Sequence, residues 1–384
     1  MATYLDHAAT TPMTPAALAA YTEAAALVGN PSSIHGHGQA ARRLLEDARH
    51  RVADVLGADA VEVTFTSGGT EAINLALKGL WWSRTGEDST RRRILSTRAE
   101  HHATLDALQW LAAHEGAEVV WIPVDALGRI DVAAFEAALG SDVALATTLW
   151  ANNEVGTIQP VADLARLAAA HVVPLHVDAV GAVGAVPVNF ADVGVAALSV
   201  SAHKVGGPVG VGALVLARSA TVTPLVHGGS QQRGRSGTMD VAGAHAFAVA
   251  LAEADRRRIE DVEALRARRD RLVAGILSAV PDAVLRGDPS DRLPGNAHVT
   301  FAGSDGDALL YLLDEAGFSV STGSACQAGV PEPSHVLIAM GVPEREARGA
   351  LRFTLGWSTT DAEIDALLAV LPDAVARARA AGAR

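Results

Sequence analysis

Residues 196–216, AALSVSAHKVGGPVGVGALVL, put a lysine in an unusual place. The apolar run Ala196 to Val200 reads as a buried strand ending in Ser-Ala-His-Lys. A glycine-rich turn then leads into a second apolar strand, Val211 to Leu216. Lysine is strongly hydrated and seldom fully buried without a partner, so Lys204 is either a surface residue or an amine held for chemistry. Ser201 and His203 precede it with side chains suited to an anion, while Gly206, Gly207, Gly210 and Gly212 permit close backbone approach. Upstream, His176-Val177-Asp178 places a carboxylate at the end of another apolar strand. An imine-forming lysine and an aspartate for a pyridinium nitrogen are the pair that pyridoxal 5'-phosphate (PLP) requires.

Other segments offer matching groups. Thr66-Ser67-Gly68-Gly69-Thr70-Glu71 falls where a strand gives way to a helix. Its free amides, the Thr70 hydroxyl and the helix dipole make an anion site, or else Thr70 caps a plain strand–helix turn. No G-x-G-x-x-G follows a strand and no G-x-x-x-x-G-K-[ST] occurs, so a phosphate smaller than a dinucleotide fits better. His101, in Ala99-Glu100-His101-His102, has the ring to lie on a pyridine and, with a pKa near neutral, to shuttle protons; the alternative is a structural histidine. Asn152 and Asn153 follow a strand and either anchor a turn or hydrogen-bond a ligand. Thr70, His101, Asn153, Asp178 and Lys204 all fall at or just past strand C-termini, the edge where open α/β sheets bind ligands.

Cys326 is the chain's one cysteine. A lone cysteine is commonly an inert hydrophobe, but Ser321 to Gly329 is rich in glycine and small residues, and Pro331 and Pro333 follow. A mobile exposed loop with a nucleophilic thiol is expected there. Arg352, in Leu351-Arg352-Phe353, is the charge within an apolar strand; it binds a carboxylate bidentately or forms a structural ion pair.

These residues need a scaffold, and the hydrophobic pattern supplies one. Strands are expected at 61–65, 93–97, 118–122, 143–149, 173–177, 196–200 and 211–216, with helices near 15–27, 39–56, 70–82, 102–114, 131–139 and 160–171. Such alternation implies an α/β fold with a mostly parallel sheet covered on both faces. One long helix over 241–279 is expected to lead into an α+β region with strands at 297–301, 318–321 and 350–355 and helices at 306–316, 333–340 and 361–381.

Composition narrows the partners. The chain has 384 residues and a net charge of -12 with no long basic cluster, which argues against direct nucleic-acid binding or an acidic membrane surface. Arg256-Arg257-Arg258 lies among acids and reads as a solvated helix face. No signal-peptide pattern or bilayer-length apolar run occurs, so a soluble, cytoplasmic protein is expected. One cysteine excludes an intramolecular disulfide framework and a cysteine-rich zinc site. Fourteen histidines show no metal-ligand spacing, and no metal is expected.

Taken together, Tyr4-Leu5-Asp6-His7-Ala8-Ala9-Thr10-Thr11, SGGTEA, NNEVG, HVDA, SAHK, RSGT, STGSAC and Leu351-Arg352-Phe353, in that family order, resemble the cysteine desulfurases of the IscS/NifS type, group I, within the class V aminotransferases of PLP fold type I. The resemblance covers essentially the whole chain. It implies a large PLP-binding domain at 15–255 with a seven-stranded sheet, and a smaller α+β domain at 1–14 and 256–384 that carries the cysteine loop. It implies that Lys204 forms the imine, Asp178 pairs with the pyridinium nitrogen and His101 stacks on the ring. Gly69, Thr70, Ser201 and His203 would hold the phosphate, with Thr238 coming from the other subunit of a homodimer. Asn153 would lie by the cofactor's phenolic oxygen and the substrate, Arg352 would take the substrate carboxylate, and Cys326 would attack the sulfur of L-cysteine. Freed Lys204 would abstract the substrate Cα proton. The products would be alanine and a Cys326 persulfide, passed on to a sulfur-acceptor protein for iron–sulfur assembly or for thiolation of tRNA, DNA or a cofactor. Selenocysteine lyase or another class V reaction is the neighbouring alternative, and a PLP-binding scaffold without activity is the distant one.

Three features depart from that family. Asp178-Ala179-Val180-Gly181 has glycine where glutamine is usual, which removes a hydrogen bond to the phenolic oxygen. Gly228 to Thr238 is one residue short of the usual spacing. The sequence stops at Arg384 without the longer tail by which some relatives dock an iron–sulfur scaffold.

Overall fold

The computed structural model describes residues 2–323 and 332–382. Twelve strands are found among them: β1 (Thr3–Tyr4), β2 (Val63–Thr66), β3 (Arg93–Thr97), β4 (Glu118–Ile122), β5 (Val143–Leu149), β6 (Leu175–Asp178), β7 (Ala197–Ser201), β8 (Gly212–Leu216), β9 (Ala283–Arg286), β10 (Asn296–Phe301), β11 (Phe318–Ser319) and β12 (Ala350–Thr354). Seven of these make the main sheet, in the order β2-β8-β7-β6-β5-β3-β4. β7, β6, β5, β3 and β4 run parallel, and β8 is antiparallel to both β7 and β2.

The central strands read as unbroken apolar runs because both their faces are covered. Alternate residues enter two separate cores. Leu95, Ala213 and Val215 meet Leu45 and Val52 of the helix Gly36–Leu56 and Phe247 of the helix Val241–Glu260. Ile94, Leu214 and Leu216 meet Ile73 and Leu77 of the helix Gly69–Glu87 and Leu108 of the helix His102–Glu115. The sheet is thus the middle layer of three, and the C-terminal ends of β5, β6 and β7 open on the same edge.

The expected single helix over 241–279 is two. Val241–Glu260 ends at Asp261, which has φ -116° and ψ -2°, and Val262–Ala279 starts anew. Neither glycine nor proline marks that break in the sequence. A second sheet, β12-β10-β9, is antiparallel. Its core joins Leu5 from the chain's start to Leu272, Phe301, Leu309, Phe353 and Leu367. The first residues reach it because β1 pairs in parallel with β11, Thr3 opposite Phe318.

Candidate active site

A cavity of about 650 Å³ opens at the C-terminal ends of the central strands. Gly69, Thr70, His101, Asn153, Asp178, Ser201, His203 and Lys204 all line it, so residues far apart in sequence share one space. Arg352 and Thr238 are not in its lining. Thr238 is exposed on the loop before the helix Val241–Glu260. Cys326 lies outside the described residues.

Lys204 ends a 3-10 turn, Ala202–Lys204, directly after β7. Its Nζ donates to the carbonyl of Ala8 and, at 2.9 Å, to that of Ala9. Burial, then the positive charge of Arg352, brings its pKa down to about 8, against the pull of Asp178 and Asp6. Asp178, the last residue of β6, is 3% exposed and accepts from the Val180 amide at 2.9 Å. Burial raises its pKa to about 6, partly offset by that amide and by Lys204.

The helix Gly69–Glu87 starts without a side-chain cap, so Thr70 is not its N-cap. Gly69 and Thr70 of its first turn line the cavity, and that turn is held by Glu71, which accepts from the Ser67 amide at 2.7 Å and pairs with Arg235 at 2.6 Å. Beside it, Ser201 Oγ is buried and has no hydrogen-bond partner. A Cβ on Gly69 would stand 2.8 Å from Val180 Cγ2 and 3.5 Å from Ser201 Cβ, so this cradle admits no side chain there. His203 Nδ1 lies 3.3 Å from Thr10 Oγ1, and burial, then Lys204, lowers its pKa to about 4.

His101 caps the helix His102–Glu115, its Nδ1 accepting from the Ala103 amide at 3.1 Å. A ring that accepts at Nδ1 keeps its proton at Nε2. The near-neutral pKa expected for it is overturned. Burial, followed by the charges of Lys204, His102, His335 and Arg352, lowers it to about 4. The two asparagines have separate tasks. Asn152 holds the turn, accepting from the Glu154 and Val155 amides at 2.9 Å each, whereas Asn153 Oδ1 is buried without a partner.

Arg352 has a partner that its sequence context did not reveal. It donates to Asp6 Oδ1 and to the Asn153 carbonyl, both at 2.9 Å, while its buried Nε has no partner. Asp6 precedes the two carbonyls that hold Lys204, so this ion pair ties the chain's first residues to the site. The solvated-face reading of Arg256-Arg257-Arg258 holds for Arg256 alone. Arg257 and Arg258 line the cavity's far end, Arg257 stacking on Trp357 at 4.8 Å.

Sequence reasoning also passed over Glu100. It is 1% exposed and accepts from the Leu149 amide at 3.0 Å through Oε1. Burial, then the nearby charge of Asp178, raises its pKa to about 8, so it carries a proton at neutral pH. Only its place beside His101 hinted at this.

The donor set fits PLP. It offers a desolvated amine, a buried carboxylate for a ring nitrogen, uncapped helix amides with an unpartnered hydroxyl for a phosphate, and an unpartnered amide oxygen at Asn153.

Comparison with known proteins agrees with this geometry. The aminotransferase class-V family model matches residues 3–367. An IscS-like cysteine desulfurase of Mycobacterium tuberculosis is 54% identical, over 98% of this chain and 97% of that protein. A cysteine desulfurase of Cereibacter sphaeroides is 47% identical, over 98% and 96%. A solved NifS-like protein superposes with a TM-score of 0.91 at 35% identity, covering 98% of this chain and all of the other. The chain belongs to the aminotransferase class-V family and, within it, to the PLP-dependent cysteine desulfurases. No helix among the described residues is long and apolar enough to cross a membrane.

Proposed function

We propose that this chain takes sulfur from L-cysteine at the 650 Å³ cavity and carries it on Cys326 to an acceptor protein. The observation that carries this reading is the desolvated Lys204 amine sharing one cavity with the buried Asp178 carboxylate. Bound PLP would supply an aldehyde for the amine and a pyridinium electron sink. Gly69, Thr70, Ser201 and His203 would hold its phosphate, Asp178 its ring nitrogen and Asn153 its phenolic oxygen, with His101 on the ring.

Lys204 removes the substrate Cα proton, a task suited to an amine whose conjugate acid has a pKa near 8. Arg352 lies close enough to lower that pKa, and exchanging its contact with Asp6 for the substrate carboxylate would orient the amino acid. The Cys326 thiolate forms the new S–S bond as the substrate Cβ–S bond breaks. The electron pair of the broken bond stays on the substrate skeleton and is protonated there. The balance is cysteine plus thiol to alanine plus persulfide, with no added oxidant. The exposed loop bearing Thr238 supports a homodimer in which Thr238 completes the partner's phosphate site. Residues 1–14 and 256–384 are proposed as the small domain, joined through Leu5.

Borohydride trapping of the PLP-loaded protein, followed by peptide mapping, tests the site: the label is expected on Lys204. L-cysteine should then give alanine and a mass gain of one sulfur on Cys326. A label elsewhere, or alanine formed at the full rate by Cys326→Ala, would refute the assignment.

A further inference from the structure

The reaction needs the chain around Cys326 to start from a defined place, and one buried carboxylate holds the chain after it and lies close to the chain before it. Glu154 is 1% exposed, in the turn that follows β5. Its backbone is fixed, since its amide donates to Asn152 Oδ1 and its carbonyl accepts from Asn296 Nδ2, each at 2.9 Å. Its side chain plays no part in the cofactor and substrate contacts assigned above.

Eight residues after Cys326, the Ser334 hydroxyl donates to Glu154 Oε2. That hydroxyl also accepts from the Leu337 amide at 3.1 Å and so caps the helix His335–Ala339. His335 Nδ1 lies 3.8 Å from Glu154 Oε1, and its Nε2 is 2.8 Å from the Glu100 carbonyl. Three residues before Cys326, Gly323 has φ +86°. A Cβ there would stand 3.3 Å from Glu154 Oε2 and 3.1 Å from His298 Nε2. Ser321 is itself held by backbone bonds in both directions with Arg352, at 3.2 and 2.6 Å.

A buried carboxylate is costly unless its lone pairs are engaged, and an apolar side chain would pack this turn as well. The carboxylate makes sense as a tether. We propose that Glu154 is a positioning residue for sulfur transfer: its carboxylate fixes Ser334, one foot of the segment that bears Cys326, and stands beside the other foot, Gly323, whose amide donates to Ser321 Oγ at 3.0 Å. The inference rests on the desulfurase reading and adds a residue to it.

The test uses PLP-loaded protein mixed with L-cysteine and two readouts. The absorbance change of the bound cofactor reports substrate binding. Mass analysis of quenched samples reports sulfur on Cys326, unambiguous because the chain has one cysteine. Glu154→Ala and Ser334→Ala are expected to keep the absorbance change while persulfide formation slows about tenfold to a hundredfold, the cost typical of a displaced reacting group. Glu154→Gln, which still accepts from Ser334, should recover most of that loss. Ser334→Ala decides the matter should Glu154→Ala not fold. Persulfide forming at the wild-type rate in the folded variants would overturn the tether, as would parallel loss of the absorbance change. A wild-type protein that binds L-cysteine yet forms no persulfide would instead overturn the role of Cys326, and the tether with it.

Discussion

Burial governs the protonation of Lys204. With its pKa lowered to about 8, a useful fraction of the amine is free near neutral pH, where an exposed lysine would be almost wholly charged. Loading of PLP into the cofactor-free protein should speed up with pH and level off above about 8. An absorbance time course at several pH values checks this, and a flat profile from acid to alkaline pH would contradict it. Gly181 supplies a second test. Its backbone is not left-handed, and an added Cβ would meet nothing nearer than the Ala151 carbonyl at 3.7 Å, so a side chain fits. Gly181→Gln should fold normally and, by adding a donor near the phenolic oxygen, move the pH midpoint of the bound cofactor's absorbance by about one unit. Superimposable titrations would reject the idea. Asp178, Lys204 and His101 were legible in the sequence because one ends a strand and the others closely follow one. The partners that tune them were not. Asp6, Ala8, Ala9 and Glu100 come from distant stretches, and only folding brings them to Lys204, Arg352 and Asp178.

At the level of elements, β3, β4 and β5 have the bounds their apolar runs foretold, and in β3 and β5 burial on both faces leaves little choice of residue. The break at Asp261 could not be read, for acids and arginines continue through it on both sides. The loop before Thr238 shows why its length matters. Gln232 accepts from the Phe65 amide at 3.0 Å and donates to the Phe65 carbonyl at 2.7 Å. Phe65 lies in β2, an outer strand of the main sheet, so one side chain takes the place of a neighbouring strand. Gln232→Ala should cost about 1–3 kcal/mol by leaving those groups unmet, and it should promote association through the bared edge. Urea unfolding and light scattering would show both effects. Wild-type behaviour in each would mean that solvent or the rest of the loop replaces the contact.

Across the whole molecule, the protonated Glu100 makes stability depend on pH in a definite sense. Its ordinary value is 4.5 and its folded value about 8. Above 4.5 the unfolded chain releases a proton that the folded one retains. The contribution is therefore complete below 4.5 and is lost as pH climbs to about 8. Glu100→Gln should flatten the fall in unfolding free energy over that window. Asp178, shifted in the same direction to about 6, should preserve part of the slope at its acidic end. Denaturant curves for both proteins at pH 5 and pH 8 give the comparison, and equal slopes would count against a protonated Glu100.

The pairing of Thr3 with Phe318 has a consequence for biosynthesis. The strand made first waits for one made some 300 residues later, a delay of roughly 15–60 s at ordinary ribosomal speeds. Until then neither the Ala8 and Ala9 carbonyls nor the Asp6–Arg352 bridge can take up its final place. The nascent chain can thus bury most of its central sheet on the ribosome while its chemistry stays unassembled until translation is nearly done.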